Sequence, residues 1–186
     1  MGRKEKISRG KMMTPIFFVF CEGETEVAYI ELLRSYYRLP IHIVPIKTLQ
    51  NITPALIERH KAEYVQTKRD RTYLMYDLDA QPMLGKLRKV NDSVLLCSNP
   101  CFELWLLLHY ESLQRELTSA ECVKRLGVFI KQYRKGLLNE EVKQFLMENV
   151  SIAVERARKM SAYFNPSTTV YLLIDDLNEL KRRKDG

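Results

Sequence analysis

The sequence is sparing with the residues that mark several protein classes. Its 186 residues include only seven glycines, seven prolines, four cysteines and three histidines. So few Gly and Pro exclude a low-complexity chain. No stretch approaches the roughly 18 apolar residues of a membrane span. Ile16–Cys21 is apolar but only six residues long, and Glu22-Gly23-Glu24 follows where a secretory cleavage site would need small residues. Cys21, Cys97, Cys101 and Cys122 each lie in or beside an apolar run, where reduced thiols behave as small hydrophobes. Cys97 and Cys101 have CxxxC spacing, but neither a second pair nor a His pair completes a zinc site. The expectation is a cytoplasmic protein with no membrane partner. GxSxG, Walker and GxGxxG motifs are all lacking, so hydrolase-triad, NTPase and dinucleotide readings have no support.

The chain also lacks a basic body. The formal net charge is +7, from 30 Lys and Arg against 23 Asp and Glu. Residues 1–11 hold five basic side chains against Glu5, and residues 181–186 hold four against Asp185. Those ends carry the whole excess, and residues 12–180 are balanced. A chain basic throughout, like a histone, is excluded. Any nucleic-acid role must come from the ends or from a local site.

What is present reads as a mixed α/β chain. Residues 1–12 suit a disordered basic arm. The run Ile16–Cys21 suits a strand buried on both faces. Apolar positions at Val27, Ile30, Leu33 and Tyr37 predict a helix over Glu24–Tyr37. Ile41–Ile46 follows as a strand, with Pro45 placing it at an edge. Thr53–Gln66 reads as a helix capped by Thr53, with Pro54 at its first position. Thr72–Tyr76 reads as a strand, Pro82–Lys89 as a short helix and Ser93–Cys97 as a fourth strand. Such alternation predicts a mainly parallel four-stranded sheet flanked by helices, with its chemistry at the carboxyl ends of the strands. Beyond residue 98 the pattern is helical: Cys101–Tyr110, Thr118–Tyr133, Glu140–Met147, Ile152–Tyr163 and Thr168–Arg183. The expected organisation is a single domain over 13–180. It comprises an α/β core over 13–110 and a helical extension over 111–180, followed by a basic tail over 181–186.

Three segments carry the chemistry. The first is Cys21-Glu22-Gly23-Glu24-Thr25-Glu26, where three acids follow a buried strand and Gly23 permits a sharp change of direction. The helix dipole accounts for Glu24 and Glu26, but not for Glu22 at the strand end. The second is Asp77-x-Asp79. Residues i and i+2 of a strand project to one side, and two carboxylates held so repel unless a cation such as Mg²⁺ intervenes. A plain turn explains the pair equally well when it is taken alone. The third is Ser98-Asn99-Pro100-Cys101-Phe102-Glu103, continuing as Leu104-Trp105-Leu106-Leu107-Leu108-His109. Asn99 suits a helix cap and Pro100 the first helical position. The helix that follows is apolar all round and therefore buried. Its one acid, Glu103, needs a metal ion or a basic partner. His109 suits the helix C-terminus, where the dipole favours a charged imidazole.

Together these segments, with Asn165-Pro166-Ser167-Thr168-Thr169-Val170, resemble the RloB family over about Ile16–Leu180. RloB proteins are similar to TOPRIM domains, the metal-binding α/β fold of topoisomerases, primases and OLD-type nucleases. The resemblance implies a TOPRIM-like (Rossmann-like) fold and Mg²⁺ or Mn²⁺ held by Glu22, Asp77 and Asp79. It implies Glu26 and Glu103 as further metal ligands, with Gly23, Thr25, Ser98 and Asn99 in support. It also implies a place in bacterial anti-phage defence beside an ATPase of the ABC/SMC-like kind.

The functional expectation is a metal-dependent nuclease acting on DNA or RNA, in which Glu22 is either a ligand or the general base or acid. The alternative is a non-catalytic TOPRIM-like subunit that docks on an ATPase and binds or senses nucleic acid. The oligomeric state is open, a homo-oligomer included.

Overall fold

In the computed structural model, which describes residues 15–45, 52–79 and 82–185, the apolar run after Ile16 forms β1 (Phe17–Cys21) inside a five-stranded sheet. Its side chains alternate between faces. Phe17, Val19 and Cys21 join one apolar cluster, and Phe18 and Phe20 join another. The strand is therefore buried on both sides, as its uninterrupted apolar run requires. The chain continues through α1 (Glu24–Tyr37), β2 (Ile41–Pro45), α2 (Pro54–Lys61), β3 (Arg71–Asp77), α3 (Met83–Leu87) and β4 (Ser93–Asn99). The helical half follows as α4 (Glu103–Leu107), α5 (Ser119–Phe129), α6 (Glu140–Glu148) and α7 (Val150–Arg158). A two-residue strand β5 (Ser167–Thr168) precedes α8 (Tyr171–Asp185).

The strand order is β2-β1-β3-β4-β5. The first four strands are parallel, and β5 runs antiparallel to β4. Pro45 thus sits on an edge strand, where its missing N–H costs no ladder bond. Ile57 of α2 and Leu87 of α3 cover the Phe18–Phe20 face. Helices α1 and α4–α8 share the core on the other face, so the helical half packs on the same sheet as the α/β half. Leu104, Trp105, Leu106 and Leu107 of α4 are fully buried there. At about 1.5–3 kcal/mol per fully buried large apolar side chain, this short helix anchors the layer.

The fold departs from the sequence-based expectation at several points. The sheet has five strands rather than four, because Ser167 and Thr168 pair with Asn99 and Ser98. The same pairing draws Ser98 and Asn99 into β4. Asn99 is therefore not a helix cap; its Nδ2 donates to the Tyr163 carbonyl at 3.0 Å. Likewise Asn165-Pro166-Ser167 leads into a strand, and α8 starts later. Helix α5 stops at Phe129 instead of reaching Tyr133. Gly23 has an extended backbone (φ −116°, ψ 164°), so left-handed freedom is not its role. A Cβ there would stand 2.4 Å from Glu26 Oε2, so a larger residue would have to push the Glu26 carboxylate aside. Helix α8 runs through residues 181–185 of the expected basic tail, past Arg183 where the helix was expected to end, with the Lys181 ammonium over the Tyr36 and Tyr37 rings. The expected basic arm over 1–12 lies outside the described residues. No helix among the described residues is long and apolar enough to cross a membrane.

Candidate functional site

β1 and β3 are neighbours, with Cys21 level with Met75. Parallel pairing therefore sets the two acidic segments side by side where both strands end. Glu22 N–H donates to the Met75 carbonyl at 3.3 Å, and Glu22 Oε2 accepts the Asp77 N–H at 3.4 Å. Asp77 closes β3, and Asp79 lies beyond it, exposed. The strand alternation rule therefore does not govern Asp79. Gly23 precedes the first helical residue of α1, and Glu24 and Glu26 occupy its first turn. Glu24 points to solvent, while Glu26 is only 5 % exposed. Glu103 enters at the start of α4 and is 1 % exposed.

The electrostatics show that these acids converge. Burial raises Asp77 to about 9, and Glu26, Glu103, Glu22 and Asp79 each push it further up. Burial also raises Glu26 to about 7 against the pull of its own backbone N–H, with Glu103 and Glu22 adding to the rise. Glu22 is raised by burial, lowered by the Asp77 N–H and raised again by Asp79. Asp77 Oδ1 is buried with no hydrogen-bond partner. A buried, unpaired carboxylate oxygen costs stability unless something arrives to bind it.

The helical half contributes groups that local sequence reasoning missed. The Tyr133 hydroxyl donates to Glu103 Oε1 at 3.0 Å and lies 3.3 Å from Thr25 Oγ1. Gly136 N–H donates to Thr25 Oγ1 at 3.0 Å. Lys135 Nζ stands 3.7 Å from Glu103 Oε1. Thr25, expected only to support the site, thus ties the α5–α6 loop to the first turn of α1. The one local signal was Gly136, whose positive φ of 76° marks a loop between the two helices.

Ser98 and Asn99 lie beside the acids through the sheet. Ser98 is level with Asp77, and its carbonyl accepts the Leu78 N–H at 2.9 Å. Its hydroxyl pairs with that of Thr168 at 2.9 Å. Ser98 thus braces the end of β3, and Asn99 joins β4 to β5 and to the Tyr163 carbonyl. His109 is buried, and burial lowers it to about 4. It is a neutral core histidine bonded to the Trp105 carbonyl, not a charge on a helix end. All four cysteines are free and buried, and the Cys101 thiol meets that of Cys122 instead of Cys97.

A cavity of about 1200 Å³ lies at the other end of the sheet, lined by the first residues of β1, β3 and β4 and by Asp70, Asp176 and Arg38. It is remote from the acidic segments, and its Asp70 and Asp176 are well partnered. Asp70 accepts from Ile16 N–H and Thr67 N–H, both at 2.8 Å, and from the Thr67 hydroxyl at 2.7 Å. Unsatisfied acid is found at the carboxyl ends.

The family model described as RloB-like protein matches residues 17–177. The chain belongs to the RloB-like family. That match spans every motif named above, from β1 through the first half of α8. Neither the comparison with curated proteins nor that with solved structures finds a match. The chemistry of this RloB-like chain must therefore be argued from its own residues.

Those residues fit a hard divalent cation in donor type. Glu22, Glu26, Asp77, Asp79 and Glu103 offer only carboxylate oxygens, the donors that Mg²⁺ and Mn²⁺ take. The orphaned Asp77 Oδ1 and the mutual repulsion around it are what such a cation would relieve. Among the described residues, however, no three acidic, His or Cys side chains stand close enough to hold one ion as they are. Ligation therefore requires side-chain movement, and Asp79 is exposed enough to make it.

Proposed function

We propose that the protein is a metal-dependent nuclease with a TOPRIM-like centre that hydrolyses nucleic-acid phosphodiesters, in anti-phage defence with a partner ATPase. One observation carries the reading: the carboxylates at the ends of β1 and β3 converge on a half-buried Asp77 whose Oδ1 is buried without a partner. A glutamate after β1 and an Asp-x-Asp after an adjacent parallel β3 is also the arrangement that the TOPRIM resemblance implies. The defence setting and the ATPase rest on the resemblance alone.

Glu22, Asp77 and Asp79 would hold Mg²⁺ or Mn²⁺, with Glu26 and Glu103 behind them. The ion would polarise a phosphate oxygen and stabilise the leaving oxygen. The protein's part is to place the donors. Parallel pairing of β1 with β3 sets Glu22 against the Asp77 backbone. Tyr133 holds Glu103 through its hydroxyl, and the two-sided apolar core keeps water from the inner wall.

A second reading has an observation of its own. Lys135 already partners Glu103, and the carboxylates are not gathered at ligating distance. Both facts suit a non-catalytic TOPRIM-like subunit that binds or senses nucleic acid on an ATPase. Lys135 reaches Glu103, however, and forms no ion pair with Glu22, Asp77 or Asp79 among the described contacts.

The deciding experiment incubates purified protein with single- and double-stranded DNA and RNA in Mn²⁺ or Mg²⁺. Wild type should cleave at least one of these substrates. Asp77→Ala should lower the rate at least a hundredfold, the scale of losing a central electrostatic group. Equal cleavage by the variant would sink the assignment. Metal-independent inertness of wild type, with retained binding, would favour the second reading.

A further inference from the structure

Among the described residues, Lys135 is the cation that forms an ion pair with a member of the acidic cluster, and the form of that contact is informative. Its ammonium lies 3.7 Å from Glu103 Oε1. A charge-assisted N–H···O bond would be about 2.7–2.9 Å. The pair is therefore an ion pair without a hydrogen bond. Glu103 Oε1 already accepts the Tyr133 hydroxyl at 3.0 Å, so Glu103 does not depend on the lysine for a donor. All three ammonium donors stay available. The two side chains differ sharply in exposure: 2 % for Glu103 and 64 % for Lys135.

The backbone beneath Lys135 is pinned on both sides. Tyr133 is held by Glu103 and Thr25, and the Gly136 N–H by Thr25. The loop also presses closely on α1: a Cβ at position 136 would stand 2.9 Å from the Glu24 Cβ. A fixed backbone thus carries a long, exposed cation at the mouth of a carboxylate cluster. A structural counter-ion for buried Glu103 has no need of such exposure. An anion approaching the acids would meet this ammonium at the rim.

We propose that Lys135 binds a phosphate of the nucleic acid that reaches the acidic site, giving up its loose contact with Glu103 as it does so. The identity of the anion rests on the phosphodiester reading above. The exchange is balanced in charge. Lys135 moves from one oxyanion to another, and Glu103 keeps its Tyr133 hydrogen bond. Without a positive group on this side, the carboxylates would repel the phosphate on every approach not screened by divalent cation.

The test measures binding of fluorescein-labelled single- and double-stranded DNA and RNA by anisotropy, in Ca²⁺, across a series of salt concentrations. Lys135→Ala should weaken binding roughly tenfold and reduce the slope of log K against log salt by about 0.7–0.9, the signature of one lost phosphate contact. Lys135→Arg should restore most of both. The melting temperature should barely change, because the exposed ammonium makes no hydrogen bond to Glu103, which keeps that of the Tyr133 hydroxyl. A merely structural lysine would change the melting temperature and leave the salt slope alone. Unchanged affinity and slope in Lys135→Ala overturn the proposal. If cleavage is then still lost in Asp77→Ala, the nuclease reading survives. Conversely, wild type that never cleaves yet binds in a Lys135-dependent way removes the nuclease reading and keeps Lys135 as the phosphate ligand. Wild type that binds none of the oligonucleotides overturns both.

Discussion

At the amino ends of the strands Asp70 accepts three hydrogen bonds, and Asp176 accepts the Tyr73 hydroxyl at 2.7 Å and Arg71 at 3.3 Å. At the carboxyl ends Asp77 keeps a buried oxygen without a partner, with four acids within electrostatic reach. The residue type is the same and the sheet is the same, but the two ends use it oppositely. Asp70 closes the start of β1 and the turn before β3, so its charge is matched by donors that the fold itself provides. Asp77 Oδ1 is met by no donor among the described residues. Unpaired buried acid is costly. Sites that accept such a cost are where function is expected. The spacious cavity thus lies at the end of the sheet where Asp70 and Asp176 already have partners.

The contrast is broken most directly at Asp70. Asp70→Ala removes three short hydrogen bonds and strands two backbone N–H groups. At about 1 kcal/mol per bond, the variant should lose about 3 kcal/mol. For a chain of this length that lowers the melting temperature by roughly 6–12 °C. Nucleic-acid cleavage below the melting range should be untouched. A shift of only a degree or two in thermal unfolding would show that the donors do not hold this end together.

The opposite sign is expected at Asp77. Its native pKa is about 9 against an ordinary value of 3.8. The native state therefore binds more protons than the unfolded state between those values, and stability falls as pH rises through that window. Asp77→Asn carries no such titration. It should match wild type near pH 4 and exceed it by about 1–3 kcal/mol at pH 8, the range for relieving an unsatisfied buried group. Thermal unfolding from pH 4 to 9 in a chelator checks this. An asparagine variant less stable than wild type at pH 8 would mean that Asp77 has a partner after all.

How much of this could be read beforehand depends on the range of the interactions. β1, α1, β3 and the burial of α4 follow from local pattern, and Glu22, Asp77 and Asp79 stood out as acids against apolar strand ends. Their meeting required only that the first and third strands be parallel neighbours. β5 was missed because two residues carry no periodicity, and its pairing with β4 joins residues 70 apart. That same pairing overrode the local cap chemistry of Asn99-Pro100. Tyr133 and Lys135 were hidden by helical periodicity that ran past the true end of α5, although Gly136 marked the loop. Glu103 was expected to need a basic partner or a metal, and the loop supplies Lys135. His109 was expected to end the helix, but α4 stops at Leu107, and burial makes the imidazole neutral instead of charged.

The smallest effect belongs to Arg71. Its guanidinium pairs with Asp176 at 3.3 Å, but the arginine side chain is 48 % exposed. Exposed pairs are worth about 0–1 kcal/mol because water and salt screen them. Asp176 also keeps the Tyr73 hydroxyl, which lies within the core and does not depend on charge to hold it. Arg71→Ala should therefore lower the melting temperature by at most about 3 °C, and added salt should shrink even that difference. A larger, salt-sensitive loss would mean that the amino-end acids rely on charge neutralisation as the carboxyl-end acids do. The two ends would then differ in which cation is already present, Arg71 at one and a loosely held Lys135 at the other, and not in whether their acids are satisfied by the fold.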